Sequence, residues 1–373
     1  MKVLLHFVSG QLMPNYVASK IIDPDINIFL CTEEASGQYQ KLVKHFKDPR
    51  KEIIDAWDYE KIQLQIKKVV DKYSESIVLL NFTAGNKIMS IAGFNLFKDL
   101  KKECFYINTE GDEYIVFNFL SNRIHKDKIN IKCNLENILS LNGQEFEFSN
   151  FIINEDHKKL IQLIQKDEKL LSKILEVGGK ININAKDFEK KIDNGNYAGT
   201  HIKFKNFNSE VILYIKERCI FSKREQGKFL TELLFGKWFE YVCFEKLNQL
   251  RFFDNLVWGC NIRRKDALPN DIYGDKNEID IIGNKGIYYY IFECKAGNIK
   301  AEAVDKLVSI KESYIGRYSS LFFISYFPLN QNNSAHRNVI EKMKDNNIIH
   351  LIYKDLDNKE KMFRLFNKRA NLK

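Results

Sequence analysis

The sequence predicts an α/β protein: an N-terminal Rossmann-like domain on a parallel sheet, followed by a second α/β domain with a β-rich centre. Three observations carry this expectation. A chain of 373 residues exceeds what one ordinary core covers. Its first half alternates short apolar runs with amphipathic stretches, which favours a parallel sheet covered by helices. Its second half clusters strand-like segments between two helix-like ones.

In order, the apolar runs 2–8, 26–32, 52–56, 76–82 and 104–108 read as strands. Stretches after the first run and over 39–46, 59–73 and 86–100 read as helices. Residues 111–150 look like shorter β segments closing the domain. A polar helix is expected over 155–176, then Gly178-Gly179, a helix near Asp187–Asn194, and a hairpin of 200–207 with 210–217 across Asn208-Ser209. That order, helix, helix, hairpin, suggests a small winged-helix-like connector. A long helix over 227–250, strands within 256–295, and the pattern helix (301–314), strand (321–325), helix (335–346), strand (348–353) complete the chain. The expected domains are therefore 1–150, 151–225 and 226–373.

Composition excludes several classes. With 45% hydrophobic and 29% charged residues and only 5 prolines, the chain is neither disordered nor membrane-spanning in pattern. Seven scattered cysteines, none in C-x-x-C, give neither a disulfide framework nor a zinc spacing, so a reducing cytoplasm is expected. The start, MKVLLHFVSG, is too short in its apolar run for a signal peptide. The formal charge of +9 lies wholly beyond residue 150, which suits a polyanionic partner such as nucleic acid and equally suits Lys-rich solvated helix faces.

The chemistry concentrates in Glu278–Lys295. Alternation along a strand puts Ile291, Glu293 and Lys295 on one face. A turn at Asn284-Lys285 would pair Asp280 with Tyr289, whereas a turn at Gly286-Ile287 pairs Asp280 with Glu293. The second is favoured, since Gly at the first central position suits a type II′ turn. Two adjacent carboxylates among apolar residues repel and desolvate poorly. A hard cation, Mg²⁺ or Mn²⁺, relieves that and helps generate hydroxide at a phosphodiester. Lys295 would position or deprotonate the attacking water or offset charge on phosphorus.

D-x12-E-x-K resembles the core of the PD-(D/E)xK nuclease superfamily, which implies a restriction-endonuclease-like α/β fold. By that resemblance Asp280 and Glu293 are metal ligands, Lys295 is the catalytic lysine, and the carbonyl of Cys294 adds a ligand. A further carboxylate from a preceding helix falls on Glu240, with Glu232 two turns earlier, and a polar residue of the following helix falls on Lys306. The Pro of the superfamily name is absent before Asp280.

Two loops follow N-terminal strands: Val8-Ser9-Gly10-Gln11-Leu12-Met13-Pro14-Asn15 and Thr83-Ala84-Gly85-Asn86-Lys87-Ile88-Met89. Small residues, hydroxyls and amides before a helix N-terminus suit phosphate contact through backbone N–H groups. Neither is a P-loop or a dinucleotide fingerprint, and each alone also reads as an ordinary β–α turn. Together they resemble the ligand loops of CRISPR-associated Rossmann-fold (CARF) domains, with Ala84 and Asn86 departing from the usual T-G-G-T-K. The resemblance implies that Ser9, Gln11, Asn15, Thr83, Gly85, Asn86 and Lys87 face a cyclic oligoadenylate, with Thr109 and Glu110 as lesser contacts.

A CARF domain followed by a PD-(D/E)xK domain resembles the cyclic tetra-adenylate-activated nucleases of type III CRISPR defence. This implies a homodimer holding the ring across its two-fold axis and cleaving DNA, single-stranded or by nicking duplex, or RNA. Arg263, Arg264 and Lys265 would hold phosphates. The rivals are a ligand-responsive transcription regulator and a DNA repair nuclease without small-molecule control. A ribonuclease with the helical R-x4-6-H signature finds no such signature here.

Overall fold

The computed structural model describes residues 1–109, 112–149, 152–166, 188–192, 200–205, 210–215, 218–223, 233–264, 277–297, 299–316 and 318–368. Glu110, Gly178-Gly179, Glu232 and Lys265 lie outside them.

The N-terminal sheet has the order β3-β2-β1-β4-β5-β6-β7. It is formed by β1 (Lys2–Phe7), β2 (Ile26–Cys31), β3 (Pro49–Ile53), β4 (Ile77–Asn81), β5 (Glu103–Asn108), β6 (Glu113–Asn118) and β7 (Arg123–Lys128). The first five are parallel, and β6 and β7 run antiparallel at the edge. Helices α1 (Met13–Ile22), α2 (Ser36–Leu42), α3 (Tyr59–Lys72) and α4 (Lys87–Asp99) alternate with the strands, as expected of a Rossmann-like domain. Strand β3 sits three residues before the expected 52–56. Asp55 ends it, because its Oδ1 accepts the N–H groups of Trp57 and Asp58 in an Asx-type turn.

The second sheet has the order β17-β16-β15-β14-β13-β8. Its strands are β8 (Gln144–Phe148), β13 (Asn255–Arg264), β14 (Asn277–Lys285), β15 (Tyr288–Lys295), β16 (Ser319–Ser325) and β17 (Ile349–Ile352). Residues 111–150 therefore do not all close the first domain. The stretch 113–128 does, whereas β8 leaves through α5 (Leu135–Leu141) and pairs with β13 across Phe148↔Cys260. A separate antiparallel sheet, β12-β11-β10-β9, holds the expected hairpin of β10 (Thr200–Lys205) and β11 (Glu210–Ile215), with β12 (Arg218–Lys223). The helix expected near 187–194 is instead strand β9 (Phe188–Ile192), paired with β10. Only Phe188 and Ile192 mark that stretch as apolar, too few to settle its period, so pairing decides. Of the expected helix–helix–hairpin order, the first helix is present over Glu155–Lys166 and the hairpin is present, and only the second helix is replaced by a strand; the rest of the expected 155–176 helix lies outside the described residues. A terminal helix, Lys359–Asn367, which the sequence reading did not anticipate, buries Met362 and Phe366 against the second sheet.

Three cores order the layers. Val3, Leu5 and Phe7 pack with Ile62, Ile66 and Met89 under α3 and α4. Leu4, Tyr16 and Phe29 pack with Leu139, Ile282 and Tyr289, which joins α1 and α5 to the second sheet. The far face of that sheet buries Phe292 and Phe322 against Trp238 and Phe366. Among the described residues no helix is long and apolar enough to cross a membrane.

The first sheet also buries a polar hub at the strand ends. His6 and Asn81 are register partners on β1 and β4, both without solvent exposure. Asn81 Nδ2 donates to Asn15 Oδ1 (3.3 Å) and His6 Nδ1 (3.4 Å), and its Oδ1 accepts from the Thr83 hydroxyl (2.7 Å). This leaves Nε2–H of a neutral His6 to donate to Asn27 Oδ1 (3.1 Å), and burial pushes the imidazole down to about 4. Asn81→Ala strips the hydrogen bonds to His6, Asn15, Thr83 and the Pro14 carbonyl at once. We expect it to cost on the order of 3 kcal/mol in urea unfolding, and a loss below about 1 kcal/mol would refute the hub.

Candidate active site and ligand pocket

The hairpin takes the register that pairs its two carboxylates. Lys285 opposes Tyr288, Ile282 opposes Ile291 and Ile281 opposes Phe292, one step short of Asp280 beside Glu293. Gly286 turns the chain with φ +57, a conformation that glycine adopts without strain. Asp280 and Glu293 are 3% and 1% exposed. Asp280 Oδ2 accepts the N–H of Cys294 at 2.8 Å, which fixes one carboxylate against the other strand.

Two ammonium groups bridge the pair. Lys295 Nζ lies 2.5 Å from Glu293 Oε1 and 3.6 Å from Asp280 Oδ2. Lys306, from the helix Ala301–Ile310, lies 3.1 Å from Glu293 Oε2 and 3.9 Å from Asp280 Oδ1. The structure thus brings Asp280, Glu293, Lys295 and Lys306 into one cluster, with Glu240 alongside on the helix Trp238–Gln249. Glu240 Oε2 accepts from Trp258 Nε1 (3.1 Å) and Lys237 Nζ (3.3 Å), and Lys237 reaches Glu278 at 2.6 Å. Sequence reasoning missed Lys237, Trp258 and Glu278. Only the spacing of Lys237 three residues before Glu240 hinted at one of them.

Burial, then the charge of Asp280, pushes the Glu240 carboxyl up to about 8. The same two causes raise Glu293. For Lys295 burial works downward, but Asp280, Glu293 and Glu240 outweigh it and hold the ammonium above its ordinary range. Lys295 therefore stays charged near neutral pH, which favours stabilising negative charge over deprotonating water.

The donors suit a hard divalent cation by type. Mg²⁺ is commonly held by one or two carboxylates with substrate phosphates and water, so Asp280 and Glu293 suffice without a third protein ligand. Among the described residues no three His, Cys, Asp or Glu converge as a metal cage. The ammonium groups of Lys295 and Lys306 satisfy the carboxylate oxygens instead. Of Cys294, the structure shows its N–H engaged by Asp280.

At the other end, an open cavity of about 400 Å³ lies against the loops after β1, β2, β3 and β4. The strand order reverses between β1 and β4, where ligands of such sheets bind. Ser9, Gly85 and Asn86 line it, together with Thr32, Gln38 and Trp57, which were not anticipated. Gly85 has φ +88, and a Cβ there would come within 3.0 Å of Phe7 Cβ. Asn86 caps α4 through Met89 N (2.9 Å) and donates to Ala56 O (2.6 Å).

Five expected contacts are placed differently. Asn15 is fully buried, donating to Phe7 O (3.1 Å), and Thr83 spends its hydroxyl on Asn81 and on Ile107 N (2.7 Å). Both shape the loops rather than line the cavity. Gln11 and Lys87 are exposed but do not line it. Thr109 is buried, its hydroxyl on Tyr318 and its carbonyl accepting from Tyr288. Arg263 and Arg264 end β13 opposite Glu145 and Gln144. A larger cleft of about 850 Å³ opens where Lys41, Lys44 and His45 face Glu136, Glu145 and Glu147, a mixture of charges without convergence on one chemistry.

The raised Glu240 carboxyl stabilises the chelator-treated protein fully below its unfolded value near 4.5, and that contribution is lost as pH rises through about 8. We expect Glu240→Gln to melt higher than the parent at pH 9 and no higher at pH 4. Equal melting of the two at pH 9 would refute a proton on Glu240. Adding Mn²⁺ at pH 7 should release protons, read calorimetrically in buffers of different ionisation enthalpy.

Residues 3–138 match the family model described as the Card1 CARF domain. No curated protein matches the sequence significantly. Among solved structures, the chain is similar to Can2 from Sulfobacillus thermosulfidooxidans in complex with cyclic tetra-adenylate, with 16% identity, TM-score 0.70, and coverage of 98% of this chain and 99% of that one. Protein VC1899 from Vibrio cholerae is 13% identical with TM-score 0.74, covering 99% and 98%. A type III CRISPR defence DNA nuclease activated by cyclic oligoadenylate is 15% identical with TM-score 0.54, covering 87% of this chain and 45% of that one, so the chain spans less than half of its length. At such identities the likeness is one of fold. The N-terminal part of the chain thus carries a CARF domain, and the whole chain shares the architecture of Can2 and VC1899.

Proposed function

We propose that this chain is a cyclic oligoadenylate-gated, metal-dependent endonuclease of type III CRISPR defence, acting on DNA or RNA. The observation that carries the reading is the pair of buried carboxylates, Asp280 and Glu293, facing each other across the hairpin with Lys295 and Lys306 against them. A surface hairpin has no need of that arrangement, and the apolar strands around it make it costly without a function. The CARF match supplies the sensor, and cyclic tetra-adenylate, the ligand in the Can2 complex, is the activator we assign to it.

In this reading Asp280 and Glu293 would hold Mn²⁺ or Mg²⁺, and Glu240 and the Cys294 carbonyl are the further ligands that the resemblance to the nuclease superfamily implies. The ion supplies Lewis acidity at the phosphodiester and lowers the pKa of water. Lys295, held charged, stabilises developing charge on the phosphate oxygens. Lys306 holds Glu293 in place from the neighbouring helix. Glu240 keeps its proton near neutral pH while the site is empty, on Oε1, since Oε2 accepts two hydrogen bonds. The sensor expected over 1–150 gives its strand β8 to the sheet of the nuclease expected over 226–373, with 151–225 between them. A cavity of about 400 Å³ holds a part of a four-nucleotide ring, which suits a ring shared between two copies. Leu64 and Ile91, on α3 and α4 and more than half exposed, suit a homodimer as well.

Cleavage of single-stranded DNA, supercoiled plasmid and RNA, with Mn²⁺ or Mg²⁺ and with or without cyclic tetra-adenylate, tests the reading. We expect metal- and ligand-dependent cleavage that Lys295→Met lowers by about 10²–10³-fold while ligand affinity stays unchanged. Absence of cleavage under every condition removes the nuclease. Activity indifferent to the ligand removes the gate.

A further inference from the structure

Trp57 stands apart from the other two tryptophans. Its side chain is 69% exposed, whereas Trp238 and Trp258 are 0% and 7% exposed. Leaving an indole in water forfeits the largest apolar contribution a side chain offers. The backbone that presents it is nevertheless tightly fixed. Asp55 Oδ1 accepts the N–H groups of Trp57 (2.8 Å) and Asp58 (2.9 Å), and Asp55 Oδ2 pairs with Lys61 (2.9 Å). Asp55 N donates to Gln65 Oε1 (2.8 Å), and the carbonyl of Ala56 accepts from Asn86 (2.6 Å). Asn86 itself lines the ligand cavity, so the Trp57 loop is pinned to the loop after β4.

Trp57 is also one of the cavity's lining residues, which include the hydroxyl-bearing Ser9 and Thr32 and the amide-bearing Gln38. A flat aromatic plane beside hydroxyl and amide groups is the complement of a nucleobase with its sugar and phosphate. Because the loop is already ordered, stacking there costs little additional backbone entropy. We propose that Trp57 is the stacking platform for an adenine base of the cyclic oligoadenylate. This rests on the sensor reading above and assigns the ligand a contact from the β3–α3 loop, outside both loops that the sequence pointed to.

The test uses the full chain with cyclic tetra-adenylate as the probe, in the parent, Trp57→Ala and Trp57→Phe. Base–aromatic stacking of about 1–3 kcal/mol converts to about 5- to 150-fold in affinity. We expect Trp57→Ala to lose that much by calorimetry, Trp57→Phe to retain most of it, and ligand-dependent quenching of the parent's indole fluorescence to vanish in Trp57→Ala. Sedimentation of the ligand-free proteins should give one association state for all three. Unchanged affinity in Trp57→Ala overturns the proposal. A change of association state without ligand also overturns it, assigning Trp57 to an interface between copies. Failure of the parent itself to bind cyclic tetra-adenylate removes the sensor reading and this proposal together, and the parent arm alone decides that case.

Discussion

Two carboxylates taken out of water at adjacent positions of one hairpin constrain everything around them. Their repulsion and desolvation require compensating positive charge, which the structure supplies from two directions, Lys295 on the same strand and Lys306 on the following helix. A register slip of one residue would send Asp280 to the opposite face and leave Glu293 alone. The turn at Gly286-Ile287 forbids that slip, and Asn284 reinforces it, fully buried and donating to both Cys133 O and Gly286 O at 2.9 Å. The turn is therefore a condition of the site's geometry, though it contributes no reacting group.

The sensor end solves a related problem with neutral groups. Ligand loops at strand ends need fixed backbones yet must keep free polar atoms for the ligand. The Asn81 hub does the fixing from below, through Asn15 in one loop and Thr83 in the other. At the cavity rim the Ser9 and Thr32 hydroxyls each accept one loop N–H and keep an O–H to donate, while Asn86 spends its amide on Met89 N and Ala56 O. A neutral His6 lets this hub stay buried without a counter-ion.

Much of this was legible in the sequence because local rules and the fold agree. Alternating strand and helix patterns forecast β1 to β5, and Gly286 forecast the register that pairs Asp280 with Glu293. The two loops were recognisable from short motifs, but motif membership does not separate residues that touch a ligand from those that shape a loop. Asn15 is fully buried on Phe7 O and Thr83 spends its hydroxyl on Asn81 and Ile107 N, placements that the motifs alone did not announce. Contacts between distant segments carried no local signal either. Lys237 meets Glu278 41 positions away, and β8 joins a sheet whose neighbouring strand begins more than 100 residues later. Trp57 carried no signal of its own, since exposure cannot be seen in a sequence.

The two ends are also mechanically continuous. The hydroxyl of Thr83, in the loop after β4, accepts the N–H of Ile107 on β5. Two residues on, Thr109 engages Tyr318 through its hydroxyl (2.8 Å) and Tyr288 through its carbonyl. Tyr288 opens β15, which carries Glu293 and Lys295, and Tyr318 precedes β16, the parallel neighbour of β15. The carbonyl of Tyr318 in turn accepts the N–H of Tyr289 at 2.8 Å. Apart from the backbone step from Ile107 to Thr109, every link is a hydrogen bond between partly or fully buried groups, and close-packed interiors transmit strain rather than absorb it. A shift of β5 must therefore be taken up at the start of β15 or break buried hydrogen bonds, and at the far end of the same strand stand the carboxylate and ammonium on which the proposed chemistry depends.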